Sequence, residues 1–119
     1  MREAFAHEAV LAMGPDADTR APGAAVTVEL CGSWEHEPPC PLAPHHATAL
    51  RAGPDVRVRV VFVSEPEREG IVRVRIDRAL RRGRLLGPDG VTTTWRLRTS
   101  TVGVVGDDER DRARRLMRD

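Results

Sequence analysis

Val56-Arg-Val-Arg-Val-Val-Phe-Val63 and Ile71-Val-Arg-Val-Arg-Ile76 are two runs in which aliphatic and cationic residues alternate, separated by Ser-Glu-Pro-Glu-Arg-Glu-Gly. Alternation with a period of two is the pattern of a half-buried strand. The pair predicts an antiparallel hairpin whose loop is the charged stretch 64–70. Val56, Val58 and Val60 share a face with Val72, Val74 and Ile76 only in a register that pairs even with even positions. Arg57, Arg59, Arg73 and Arg75 then share the opposite face.

On the carboxyl side, Asp77-Arg-Ala-Leu-Arg-Arg-Gly83 reads as a short helix capped by Asp77 and stopped by Gly83. Thr92 to Val105 is β-rich, with Trp95 and Leu97 on one parity and Arg96 and Arg98 on the other, and is read as a last strand bent near Gly103. Asp107-Asp-Glu before Arg114-Arg115 suits a closing helix dipole. On the amino side, Gly53-Pro-Asp55 is a turn and 47–50 a helical turn. Residues 25–33 alternate as a strand that ends in Cys31. In 3–13 the alanine content favours a helix, but Phe5, His7, Ala9, Leu11 and Met13 alternate with Ala4, Ala6, Glu8, Val10 and Ala12. No N-cap precedes them, so a strand is the preferred of the two readings.

These elements make one α+β domain over residues 1–119. It is an antiparallel sheet of about four to five strands with a short helix and a carboxyl-terminal helix packed on one face, plus a Pro-rich Cys/His loop. The length supports a single core, and 40% apolar with 31% charged residues lies in the globular range. No run of 18 apolar residues is present, so no membrane span is expected. The amino terminus, with Glu3 and Glu8 and no apolar h-region, does not read as a signal peptide. The expected location is cytoplasmic.

There is no Lys, Asn, Gln or Tyr. Schiff-base lysine chemistry, tyrosine acid/base catalysis and Asn/Gln reading of adenine are therefore excluded. Net charge is +1, but residues 1–50 carry two arginines against seven acids, and residues 51–98 carry twelve against six. An anionic partner belongs with the middle of the chain.

Both cysteines and three of the four histidines fall between positions 31 and 46, as Cys-x4-His-x3-Cys-x4-His-His. Cys31, His36, Cys40, His45 and His46 are five donors for the four places of a tetrahedral Zn²⁺ site, in a loop stiffened by Pro38, Pro39, Pro41 and Pro44. A closed Cys2His2 set is structural. An open set would hold water, with Glu35 or Glu37 as general base. A short-loop disulfide and inert thiols are the competing readings, and a reducing cytosol favours thiolate ligands over a disulfide. The spacing is neither that of a zinc deaminase nor His-Glu-x-x-His.

Arg57, Arg59, Arg73, Arg75, Arg96 and Arg98 form a candidate anion-binding face. The bland reading is a solvated face paired with the glutamates of 65–69. His7 is read as a half-buried imidazole with a satisfied hydrogen bond or, less favoured, as an extra metal ligand or a partner to one. The functional expectation is a small zinc-binding accessory module. The alternatives are an open-site metal enzyme and a nucleic-acid-binding module, the latter not favoured. A homodimer or a protein partner is compatible with the sequence.

Overall fold

In the computed structural model, which describes residues 1–31 and 43–118, the chain runs β1 (Glu3–Ala12), α1 (Ala21–Cys31), β2 (His45–Ala52) and β3 (Asp55–Ser64). It continues with α2 (Glu69–Arg82), β4 (Arg84–Leu86), β5 (Thr92–Thr94), β6 (Arg96–Gly103) and α3 (Asp107–Arg118). The α+β class with an antiparallel sheet is as expected. The strand at 56–63 is present, but its hairpin partner precedes it: β2 and β3 pair from Ala52↔Asp55 to His45↔Phe62 across Gly53-Pro54. Gly53 has φ of 64°, which glycine adopts without the Cβ clash that other residues meet there. The expected helical turn at 47–50 is therefore strand.

Residues 69–82 form a helix where the second strand of the hairpin was expected. Val72, Ile76, Ala79 and Leu80 are buried, a spacing of four, three and one that only a helix places on one side. Val74, which a strand would bury beside Val72, is 56% exposed. Glu69–Arg73 and Asp77–Arg81 close as pairs four residues apart, which supports the helix through the whole Val-Arg-Val-Arg run. Asp77 thus lies inside the helix and does not cap it. Gly83 ends it as expected, in the left-handed region at φ 71°.

Of the expected strand at 25–33, residues 25–31 are instead the end of helix α1, and 32–33 lie outside the described residues. Pro22 stands in its first turn, where its missing N–H costs nothing, and Pro22, Ala25, Val26 and Leu30 are buried at helical spacing. Glu29 of α1 meets Arg78 and Arg82 of α2, tying the two helices together.

The main sheet has the order β2-β3-β1-β6, with every neighbouring pair antiparallel. With α1 between β1 and β2 and α2 between β3 and β6, this is a doubled split β-α-β, or ferredoxin-like, connectivity. Such a scaffold carries many unrelated functions and names none. β4 and β5 form a separate two-stranded sheet. The strand expected from 92 to 105 is interrupted at Trp95, whose backbone N–H donates to Gly83 O at 2.9 Å and whose indole N–H donates to Leu80 O at 2.8 Å. The register slips between Val10 and Leu11, which leaves Arg98 as the unpaired extra residue of a bulge.

One face of the sheet presents Ala9, Leu11, Val56, Val58, Val60 and Phe62 to Val26 and Leu30 of α1 and to Val72, Ile76 and Leu80 of α2. Each large side chain buried there stabilises by roughly 1.5–3 kcal/mol. The other face buries Val61 and Val63. There α3 packs on β3 with Ala113 buried and Glu109 bonded to Arg59. The carboxyl-terminal helix and α2 thus lie on opposite sides of the sheet.

Candidate functional site

Gly23, Thr27 and Cys31 follow one another at intervals of four along α1 and turn toward β2. A Cβ on Gly23 would stand 3.1 Å from Ala47 Cβ, so the absence of a side chain lets helix and strand approach. In the space this leaves, His45 of β2 lies between Thr27 and Cys31. Its Nε2 is 2.9 Å from Thr27 Oγ1, and the Thr27 hydroxyl reaches Gly23 O at 3.2 Å. Its Nδ1 is 3.9 Å from Cys31 Sγ and 3.2 Å from Ala43 O. Thr27, which holds the His45 ring through this contact, was not among the candidate residues of the sequence. Its signal was the i, i+4 relation to Cys31, hidden by treating the segment as a strand.

Cys31 is buried and disulfide-bonded. In this state its sulfur is not a thiolate, so the metal-ligand expectation for Cys31 applies to the reduced chain. His36 and Cys40, with Glu35 and Glu37, lie outside the described residues. Among the described residues, no group of three or more His, Cys, Asp or Glu is placed to hold a metal. The neighbours His45 and His46 point to opposite faces of β2, as successive strand residues must. His45 meets α1, whereas His46 Nδ1 is 3.5 Å from Arg112 of α3. Burial, then the Arg112 charge, holds the His46 imidazole below its ordinary pKa.

His7 is engaged elsewhere. Arg73 NH1 reaches Ala6 O at 2.7 Å and His7 Nδ1 at 3.1 Å, while His7 Nε2 is 2.8 Å from Ser100 Oγ. With Arg73 donating, Nδ1 accepts and Nε2 carries the proton. Ser100 in turn bonds Asp77, so one polar chain links α2, β1, β6 and α2 again. Burial first, then the Arg73 charge, lowers the pKa of His7. Burial raises that of Asp77, but hydrogen bonds from Arg81 and Ser100 outweigh it and leave the carboxyl below its usual value. His7 is the hydrogen-bonded imidazole of the blander reading, more deeply buried than the half-buried position expected for it.

The six arginines divide. Arg73 and Arg75 are on α2, and the Arg73 guanidinium sits over the rings of Phe5 and Phe62 at 5.9 and 5.3 Å. Register and parity place Arg57, Arg59 and Arg96 on the sheet face away from α1 and α2. From the bulge, Arg98 reaches over that face to Asp55 at 2.8 Å. Arg59 is held by Glu109, Glu8 and the carbonyl of Val104. Arg57 has no ion pair among the described residues. No described helix is long and apolar enough to cross a membrane. No protein-family model, curated protein or solved structure matches the chain.

Proposed function

We propose that this chain is a small cytoplasmic zinc-binding module whose metal, taken up in the reduced state, is structural and organises the segment between α1 and β2. The observation that supports this reading is the approach of Cys31 Sγ to His45 Nδ1 at 3.9 Å. Zn–S of about 2.3 Å and Zn–N of about 2.0–2.1 Å at a tetrahedral angle put the two donors about 3.6 Å apart, so a small movement brings both onto one ion. The Thr27 bond at Nε2, relayed to Gly23 O, fits the tautomer in which Nε2 carries the proton and the Nδ1 lone pair faces the metal. The Nδ1 contact with Ala43 O suits a proton on Nδ1, so metal binding would displace that proton and replace the contact with the ion. His36 and Cys40 complete a set of four without His46.

Bound there, zinc would cross-link the end of α1 to the start of β2 and, with four protein ligands, leave no position for water. The module would then serve binding or assembly and not turnover. Disulfide and metal draw on the same sulfur, so reduction is the condition for loading.

The test is elemental analysis of reduced, tag-free protein with thiol titration before and after chelation. The expected result is about one zinc per chain with both thiols masked until chelation, and an affinity about 10–100-fold lower in Thr27→Val, the usual loss when a ligand's orienting partner is removed. Metal-free reduced protein with freely reactive thiols overturns the reading.

A further inference from the structure

The sheet face away from α1 and α2 is covered by α3 only at the Arg59 end. Beyond α3 it forms a groove of about 490 Å³, floored by Val10, Leu50 and Arg57 and edged by Thr48, Thr99 and Thr101. The register puts Arg57 at the centre, with Val10 beside it on β1 and Leu50 beside it on β2. Leu50 is 68% exposed, so among the described residues an apolar surface stands uncovered next to a guanidinium. The flanking cations are neutralised: Arg59 by Glu8 and Glu109 on one side, Arg98 by Asp55 on the other. Arg57 is thus the one cation of this groove without a carboxylate among the described residues.

The geometry points to this groove as a binding site for a small monocarboxylate with an apolar body. A carboxylate accepts two parallel N–H bonds from a guanidinium. The threonine hydroxyls offer further donors, and Val10 and Leu50 take the apolar part. The volume lies in the range of small-molecule sites. At the Glu8 end, where Arg59 already serves two carboxylates, the excess negative charge selects against a second anionic group on the ligand. The site is independent of the Cys31–His45 junction and needs neither metal nor reduction.

The experiment is an amide-resolved NMR titration of the whole protein with octanoate, octanamide and acetate. Octanoate is expected to give saturable shifts at Thr48, Thr99 and Thr101, with the uncharged amide and the tail-less acid about tenfold weaker or more. Arg57→Gln should lose about tenfold in octanoate affinity, and Leu50→Ala should weaken it, whereas Arg75→Gln on α2 should leave it unchanged. Arg57 is exposed and its replacement should leave the rest of the spectrum in place. If that variant does not fold, Leu50→Asp, at an exposed position, should abolish binding by repulsion. Unsaturable shifts, acetate binding as tightly as octanoate, or octanoate affinity that survives both Arg57→Gln and Leu50→Asp would overturn the proposal.

Discussion

Arg59 of β3 and Glu109 of α3 meet through two parallel N–H···O bonds, Nε to Oε2 at 2.6 Å and NH2 to Oε1 at 2.8 Å. The same carboxylate accepts the backbone N–H of Gly106 at 2.7 Å, so one side chain both starts α3 and fastens it to the sheet. Arg59 first, through its hydrogen bonds, holds the Glu109 carboxyl below its usual pKa. Both side chains are less than a third exposed, at 26% and 19%.

Removing this carboxylate charge should loosen α3 selectively. Glu109→Gln is expected to cost about 2 kcal/mol in urea unfolding, within the range for breaking a partly buried, hydrogen-bonded charge pair. Hydrogen exchange in 107–118 should accelerate while β1 and β3 keep their protection. Uniform loss of protection across the sheet would show that α3 is not a separable element.

His7 makes stability depend on pH near neutrality. Its folded pKa lies below the ordinary 6.5, so between the two values the unfolded chain binds a proton that the folded chain does not. The stabilisation is complete above the unfolded pKa and declines as pH falls through it toward the folded value. The slope there is at most about 1.4 kcal/mol per pH unit, the value for one full proton. Denaturation midpoints between pH 7.5 and 5 in wild type and His7→Gln check this, and the variant should lack that component of the slope. Equal slopes in the two proteins would contradict it. The lowered carboxyl pKa values of Asp77 and Glu109 add a second decline that begins as pH falls below about 5.

Gly83 is fixed by its backbone. At φ 71° any Cβ is strained, and here it would also stand 2.8 Å from the carbonyl oxygen of Trp95. Gly83→Ala is therefore expected to cost about 2 kcal/mol or more, against the small gain typical of Gly→Ala at unstrained sites. Chemical denaturation reads this directly.

The period of residues 71–76 is where the sequence misleads. Val72-Arg-Val-Arg-Ile76 satisfies strand alternation over five residues, and the helical stripe becomes visible only when the window extends to Ala79 and Leu80. Val72→Thr should cost about 1–3 kcal/mol and Val74→Thr less than about 0.5 kcal/mol, because only Val72 is buried. Equal effects would favour the strand. The same short window hid α1, where Val26, Val28 and Leu30 alternate but Pro22, Ala25 and Val26 already mark a helix.

Elsewhere local chemistry was sufficient. The turn at Gly53-Pro54, the stop at Gly83 and the acidic start of α3 are each fixed by one or two residues and are found where expected, and the strand read over 3–13 from its alternation is found at Glu3–Ala12. The candidate site was only partly legible. His45 and His46 are adjacent in sequence and separated by the sheet in space, a distinction that needed the strand assignment of 45–52. The division of the arginines followed from the helix at 69–82. The Thr27 contact and the Arg73–His7–Ser100–Asp77 chain are long-range, and no local pattern announces them.

The Cys31–His45 junction is tested most directly by zinc K-edge X-ray absorption on the reduced protein loaded with one equivalent of zinc. The account predicts a mixed first shell of sulfur near 2.3 Å and nitrogen near 2.0 Å, losing a nitrogen scatterer in His45→Ala and unchanged in His46→Ala. A shell of oxygen and nitrogen alone, or one that His45→Ala leaves intact, would contradict it.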